Sequence, residues 1–167
     1  MGPKVGLTDF DFNKVVELAF NEYEFATEKC LENNQVIAGL VTLRAALEAS
    51  LIAVLLLQLM HISEKEREEL QRDFGLVVYS EKSKVRIENF NREDLTLHQL
   101  IEQVLCPHVN KSVCEAAHRI REWGNYIHAS RFFDFGSKPF RKPSTRNLKA
   151  RLKDWELVKK ALLRELI

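Results

Sequence analysis

The sequence predicts an all-α protein, an up-and-down helical bundle folded as a single domain over residues 1–167. Three observations favour this class. Apolar residues recur at helical spacing along much of the chain, and residues 36–60 are apolar on nearly every side, as in a buried central helix. The 167 residues, 46% of them hydrophobic and 29% charged, can also bury one sizeable core.

The first two helices follow from the pattern of residues 11–60. An amphipathic helix is predicted over 11–33, where Asn33 and Asn34 provide a stop signal. Its apolar positions are Val16, Phe20, Tyr23, Ala26 and Cys30. A second helix is predicted over residues 35–60. Its apolarity leaves almost no face for water, so we expect it to be the most buried helix of the bundle.

The middle of the chain predicts one short helix and one irregular segment. Ser63 is a candidate N-cap and Glu66 completes a capping box, so residues 63–73 predict a short exposed helix. Residues 75–94 predict a loop or insertion. Residues 76–79 could form a brief strand, but their charged surroundings offer no partner strand, and we prefer the loop.

Two further helices lie between residues 96 and 133. The first covers residues 96–105 and ends before Pro107, because the residue that precedes a proline avoids helical geometry. Asn110 or Ser112 then caps a long helix that runs to about residue 133.

The long helix carries a row of polar side chains beside its apolar stripe. Arg121, Asn125 and His128 are spaced i, i+4 and i+7 and share one side, with His118 as a supporting residue on the same row. An imidazole transfers protons at neutral pH and a guanidinium stabilises a phosphorane, so the row indicates phosphodiester chemistry. Gly124 indicates close approach by another group. The alternative is a polar network at a subunit interface.

Arg44 and Glu48 are the charged residues of segment 36–60. A charge removed from water is costly unless it is paired, so each residue requires a partner. Their order, Arg before Glu, gives the weaker pair within a helix. We therefore expect Glu48 to pair with Arg121 and hold its guanidinium in place. The alternative is a buried Arg44–Glu48 ion pair that fixes the register of the helix.

The cysteines do not indicate a metal centre. Cys106, His108, Cys114 and His118 could bind zinc in principle, but their spacing is unlike that of common zinc fingers. We interpret them as packed thiols and helix-terminal histidines, and we expect no metal and no cofactor. Three cysteines, with Cys30 as the third, cannot all pair within one chain, and an intracellular protein keeps its thiols reduced, so free thiols are expected.

Charge is distributed unevenly along the chain. Residues 1–110 carry 11 Lys and Arg against 18 Asp and Glu, a net charge of −7, whereas residues 111–167 carry 14 against 6, a net charge of +8. This polarity suggests an anionic partner or acidic and basic surfaces that meet between subunits.

A basic connector is predicted over residues 134–144, followed by a last helix from about Thr145. The apolar positions of that helix are Leu148, Leu152, Trp155, Val158, Leu162 and Leu166. The connector and the start of the helix could contact a nucleic-acid backbone. The candidate contacts are Lys138, Arg141, Lys142, Arg146, Lys149 and Arg151. A solvated linker and helix face is equally compatible with this composition.

No membrane segment or signal peptide is expected. The longest charge-free apolar run, residues 49–60, is shorter than the roughly 20 residues that span a bilayer. Acidic Asp9 and Asp11 stand where a signal peptide requires an apolar region. These features predict a cytoplasmic protein.

Two motifs resemble the HEPN superfamily, in particular a branch of prokaryotic domains of unknown function. The motifs are Leu-Arg-x-x-Leu-Glu, which contains Arg44 and Glu48, and the later row that begins with Arg121-x-x-Gly-Asn125 and ends at His128. The matching blocks, residues 36–60 and 114–131, cover 43 of the 167 residues.

The resemblance implies a HEPN-like homodimer in which the Arg and His of both subunits meet in a cleft at the two-fold axis. In catalytically active members this cleft is a metal-independent ribonuclease site. Carried over, Arg121 would stabilise the phosphate, His128 would transfer a proton and Asn125 would position one of them. The resemblance also implies binding of RNA or a nucleotide, a cognate protein partner and a role in prokaryotic defence or toxin–antitoxin systems. His128 stands further from Arg121 than in the commonest active pattern. The alternative is a noncatalytic dimerisation or nucleotide-binding scaffold.

Overall fold

The computed structural model describes residues 18–61, 63, 65, 68, 77–81, 84–88, 96–125 and 143–165. This part of the chain is helical apart from one two-stranded hairpin, which confirms the predicted all-α character of the bundle. In chain order the elements are α1 (Tyr23–Glu32), α2 (Val36–His61), β1 (Val77–Glu81), β2 (Lys84–Glu88), α3 (Leu97–Gln99, continued by the π-helical turns Leu100–Leu105), α4 (Lys111–Gly124) and α5 (Thr145–Glu165). The predicted helix over 63–73 and the connector over 134–144 lie outside the described residues, apart from isolated positions.

Helices α1 and α2 form a hairpin whose turn was predicted. A π-helical turn, Leu18–Glu22, leads into α1. Asn33 is the C-cap of α1, and Asn34 has a φ of 56°. This left-handed conformation is one that asparagine tolerates better than most side chains. The chain then reverses, and α2 packs back along α1.

The core lies where α2, α3, α4 and α5 meet. Helix α2 contributes more fully buried side chains than any other described helix, which confirms its predicted central position. From α5 the largest buried side chain is Trp155, whose ring stacks on Phe20 with a centroid separation of 5.7 Å. The buried residues of α2 are Gly39, Leu40, Leu43, Ala46, Leu47, Ser50, Leu51, Ala53, Val54 and Leu55.

One side of α2 is nevertheless open. Ile37 is 43% exposed, and Val41 and Ala45 are half-buried, although the sequence predicted burial on nearly every side. By length and composition alone, the stretch Val36–Leu55 could also cross a membrane, a property that it shares with the core helices of soluble proteins. Less than half of this stretch is buried inside the bundle. The open side therefore leaves apolar surface uncovered within the described part of one chain.

The predicted loop over 75–94 is wrong for the two strands that the structure describes there. Strands β1 and β2 pair antiparallel, with Val78 opposite Ile87 and Tyr79 opposite Arg86. A partner for residues 76–79 was not predicted, because the surrounding segment as a whole is strongly charged. The partner is the short run Lys84–Glu88, in which Val85 and Ile87 alternate with charged residues as in a half-buried strand.

Helices α3 and α4 are joined by a short capped turn. Thr96 and Gln99 form a reciprocal capping box at the start of α3, where the helix was predicted to begin. Of the two candidate caps for α4, Asn110 fills the role, because its side-chain oxygen accepts a hydrogen bond from the Val113 backbone N–H at 3.2 Å. Within the described residues the α-helical geometry of α4 runs from Lys111 to Gly124, and residues 126–133, over which the helix was also predicted, lie outside the described part of the chain.

The expectation of three free thiols is wrong for two of them. Cys106 and Cys114 form a disulfide, with their Cα atoms 5.2 Å apart, whereas Cys30 is free. A 3-10 turn, Cys106–His108, followed by the Asn110 cap, brings the first turn of α4 back beside Cys106. Sequence spacing alone does not reveal this approach, because eight residues can separate the two cysteines by many different distances.

Candidate functional site

The candidate site lies where α2 crosses α4. At this crossing the Arg44 side chain covers Gly124: a Cβ added to Gly124 would lie 2.6 Å from Arg44 Cδ and closer still to Arg44 Cβ. Such a distance is shorter than any ordinary van der Waals contact. The absence of a side chain at Gly124 therefore permits the close packing of the two helices that carry the two sequence motifs, as the sequence predicted for this glycine.

The two helices of this crossing carry Arg44 on α2 and Arg121 on α4, and neither is neutralised by a close carboxylate among the described residues. The Nε atoms of Arg44 and Arg121 are buried and have no hydrogen-bond partner in the described part of the chain. The Arg121 side chain is 25% exposed, and its nearest acidic partner is the exposed Glu122, 3.9 Å away. A separation of 3.9 Å gives a weak, screened interaction at the surface.

The predicted pairing of Glu48 with Arg121 is not formed. Arg121 lies near Glu122 instead, and the half-buried Glu48 forms no ion pair with Arg44 or with Arg121. The Arg44–Glu48 pair, which was the alternative, is therefore absent as well. Each arginine therefore has a buried Nε–H group without an acceptor in the described part of the chain. Such unpaired donors are expected at a site that binds an anion.

Asn125 lies at the C-cap of α4, one turn after Arg121. Its backbone N–H bonds the Arg121 carbonyl, and its half-buried side-chain amide forms no hydrogen bond with described residues. The structure thus places Arg121 and Asn125 on the same end of α4, next to Gly124. His128 lies outside the described residues, so the third member of the row stays a prediction.

His118 is oriented away from this row. Its Nε2 lies 2.8 Å from Glu102 Oε1 on α3, and its ring packs against His98 with a centroid separation of 5.4 Å. Glu102 and His118 also border the Cys106–Cys114 disulfide, and the donor atoms of these four residues lie within 4.8 Å of one another.

The cluster differs from the four residues considered in the sequence. The zinc set weighed there contained His108, but the His108 ring faces Gln58, with a nitrogen–nitrogen distance of 3.5 Å. Glu102 takes its place in the structure.

A second charged cluster joins α4 to α5. Arg119 donates two hydrogen bonds to the buried Asp154 carboxylate, from Nη2 at 2.7 Å and from Nε at 3.2 Å. Arg151 Nε lies 2.7 Å from Asp154 Oδ2, close enough for an ion pair although its N–H does not point at the oxygen. The hydrogen bond to Asp154 raises the pKa of Arg119, whereas burial lowers the pKa of Arg151.

The predicted nucleic-acid contacts divide into three groups. Arg146 and Lys149 are exposed on α5, as a phosphate-binding role requires. Arg151 is different, since its side chain is 14% exposed and is engaged with Asp154. Lys138, Arg141 and Lys142 lie outside the described residues.

Glu102 and Asp154 were not predicted as members of these clusters. Glu102 could have been found from its spacing, because Glu102 and Cys106 are four residues apart, as are Cys114 and His118. Two such pairs on neighbouring helices present four donors to one point. Asp154 had a weaker signal, since it is one of three acidic residues in a predominantly basic helix.

Comparisons of the chain with models of protein families, with curated proteins and with solved structures found no match. Its function is therefore inferred from the geometry of the chain itself and from the motifs of its sequence.

Proposed function

We propose that the protein is a HEPN-like helical homodimer that binds RNA and cleaves it without a metal ion. The observation that supports this proposal is that the two crossing helices carry Arg44 and Arg121, whose buried Nε atoms lack partners among the described residues. A phosphodiester would supply the acceptor oxygens that this site lacks, and phosphate recognition by Arg is strong because it is charge-assisted.

The chemistry assigned to the row is attack by a ribose 2′-OH on the adjacent phosphate. His128 takes the proton of the 2′-OH as the 2′-O–P bond forms, the P–O5′ bond breaks, and the leaving 5′ oxygen takes a proton from water, which yields a 2′,3′-cyclic phosphate and a 5′-hydroxyl. Arg121 stabilises the charge that develops on the phosphate, and Asn125 orients one of these groups.

The proposed dimer is motivated by the open side of α2, where Ile37 is exposed beside half-buried apolar residues, and by the opposite charges of the two halves of the chain. An apolar helix side of this kind is stabilised when a second copy covers it. Sedimentation at micromolar concentration should give a dimer. A monomer that is unchanged by salt contradicts this part of the proposal.

The test of catalysis compares the protein with His128→Ala on single-stranded and structured RNA at pH 6–8 in the presence of EDTA. The protein should cleave RNA and leave cyclic phosphate ends, and the variant should be slower by roughly 100-fold or more, the usual contribution of general acid–base catalysis. RNA binding should be retained. His108→Ala is the matched control, because His108 is exposed and faces Gln58. RNA that stays intact across this pH range contradicts the catalytic proposal.

The close contact of Arg44 with Gly124 favours a second candidate, a noncatalytic dimerisation or nucleotide-binding module in which the polar row stabilises helix packing. In that case His128→Ala lowers the melting temperature without an accompanying loss of activity. A cognate protein partner and a role in defence or toxin–antitoxin systems belong to the proposal through the sequence resemblance alone. A cytoplasmic location belongs to it through the short apolar run and the acidic N-terminal residues of the sequence.

A further inference from the structure

Four metal-binding side chains converge between α3 and α4. Glu102 comes from α3 and Cys106 from the 3-10 turn that follows it, while Cys114 and His118 come from α4. Their carboxylate, sulfur and imidazole donor atoms all lie within 4.8 Å of one another. The cluster is distinct from the arginines at the other end of α4.

The backbone holds these donors in place. Glu102 and Cys106 are one helical turn apart, and so are Cys114 and His118, so each element directs two side chains towards the same point. The two elements are joined by the short turn that Asn110 caps. Both elements pack on the core, through Ile101, Leu105 and Ala117. A site assembled on packed helices keeps its donors close together with little loss of conformational entropy.

We propose that this cluster binds Zn²⁺ when Cys106 and Cys114 are thiols. Two thiolates, one imidazole and one carboxylate are ligands that zinc accepts, and four of them complete a tetrahedral site. In such a site neighbouring donors lie roughly 3.3–3.8 Å apart, given zinc–ligand bonds of about 2.0–2.3 Å. Opening the disulfide lets the two sulfurs separate towards this spacing, and the zinc enters between them and the Glu102–His118 pair.

A plain structural disulfide does not account for the whole cluster. It requires Cys106 and Cys114 alone, whereas Glu102 and His118 direct an oxygen and a nitrogen to the same place, 2.8 Å apart. In a reducing compartment the two cysteines are thiols, and all four side chains can then coordinate one metal ion.

Zinc and the disulfide exclude each other, because both use the same sulfur electron pairs. Oxidation by hydrogen peroxide removes two electrons from the two thiolates and forms the S–S bond. The peroxide takes up these electrons and two protons and becomes two molecules of water, and Zn²⁺ leaves without a change in its charge.

The first experiment titrates Zn²⁺ into the full chain, reduced with a phosphine that does not bind the metal. One zinc per chain should bind, and the disulfide form should bind none. Co²⁺ should give a thiolate-to-metal charge-transfer band in the reduced protein. Bound zinc should protect Cys106 and Cys114 from alkylation and leave Cys30 reactive, and peroxide should release the metal. Equal alkylation of Cys106 and Cys114 with and without saturating zinc overturns the proposal.

Four variants identify the ligands. Cys114→Ser and His118→Ala should weaken zinc binding by more than the roughly 10- to 100-fold that loss of an outer partner costs. His108→Ala and Cys30→Ser should bind zinc like the unaltered protein, since neither residue belongs to the cluster. A loss in His108→Ala equal to that in His118→Ala overturns the assigned ligand set. If Cys114→Ser fails to fold, the alkylation of the unaltered protein still decides the matter. None of these readouts depends on RNA cleavage.

Discussion

The aliphatic part of Arg44 lies directly on Gly124. A Cβ at Gly124 would come within 2.6 Å of Arg44 Cδ and 3.0 Å of Arg44 Cγ, and nearer still to the Cβ that is fixed to the α2 backbone. This contact places the two sequence motifs, Leu-Arg-x-x-Leu-Glu and Arg-x-x-Gly-Asn, against each other. The motifs are therefore connected through helix packing, before any ligand is considered.

Gly124→Ala should destabilise the protein. Overpacking of a well-packed contact typically costs about 1–3 kcal/mol, and the better helix propensity of Ala offsets about 1 kcal/mol of this. Gly39→Ala is the matched control, because its closest contacts would be the terminal methyl groups of Leu148, at 2.6 and 3.1 Å, which can move by rotation, whereas the nearest backbone-fixed atom, Cys30 Cβ, lies further away at 3.2 Å. Thermal unfolding should show the larger loss for Gly124→Ala. Equal melting temperatures for Gly124→Ala and the unaltered protein contradict this interpretation of the crossing.

Asp154→Ala should lower the free energy of unfolding by about 2–3 kcal/mol, because it removes the buried carboxylate that accepts two hydrogen bonds from Arg119 and forms an ion pair with Arg151. The expected loss of stability lies at the lower end of the range for breaking a buried ion pair, because the Arg119 side chain is 40% exposed and its charge is partly screened by water. Glu115→Ala is the control, because its pair with Lys111 is exposed and 3.8 Å long. Denaturant unfolding should give less than about 0.5 kcal/mol for this variant. A similar effect for both variants would count against a structural role of Asp154.

Glu156→Gln should raise the melting temperature at pH 7 and lose this advantage in acid. Although Glu156 lies at the surface, partial desolvation, followed by the charge of Glu24, raises its pKa above its ordinary value. At pH values above the pKa that Glu156 has in the folded chain, its carboxylate is ionised. This ionised form is less stable in the folded chain than in the unfolded chain, so it lowers the free energy of unfolding. As the pH falls below the ordinary pKa of a glutamate, which Glu156 has in the unfolded chain, both states become protonated and the difference disappears. Melting temperatures of both proteins at pH 7 and at pH 3.5 provide the measurement. A difference that is independent of pH excludes the ionisation of Glu156 as its cause.

Arg146→Ala combined with Lys149→Ala should weaken RNA binding and reduce its salt dependence. Removing one phosphate-binding side chain lowers the slope of log K against log salt by about 0.7 for a single strand, so the double variant lowers it by about 1.4. Lys29→Ala is the control, because Lys29 is exposed on α1 and pairs with Glu32. Fluorescence anisotropy at several salt concentrations measures these slopes. An unchanged slope in the double variant would exclude both residues as phosphate ligands.

The helices were predictable because each has a local signal. The stop at Asn33 and Asn34, the start of α3 at residue 96 and the apolar period of α5 all follow from neighbouring residues, and the structure confirms them. The hairpin was missed because strand pairing is a relationship between two segments. The open side of α2 was missed for a related reason: apolarity indicates that a surface requires covering and does not indicate which chain covers it.

The site was partly predictable. Gly124 was identified from its cost inside a helix, and its close packing is present. The partner of Arg121 was predicted wrongly, because helical spacing restricts which residues share one side but does not fix the distance between side chains on different helices. The Cys106–Cys114 bond and the Arg119–Asp154 pair were not predicted for the same reason, because each depends on how two elements are placed relative to each other.

Four interactions stabilise helix α4 at intervals along its length. Asn110 caps its start, a disulfide holds Cys114, Asp154 binds Arg119 and Arg44 covers Gly124. Within 14 residues, therefore, no turn can open without breaking at least one of these interactions. Its buried amide protons should consequently exchange with solvent through global unfolding of the molecule, and α4 should be among the last elements to lose protection as denaturant is added.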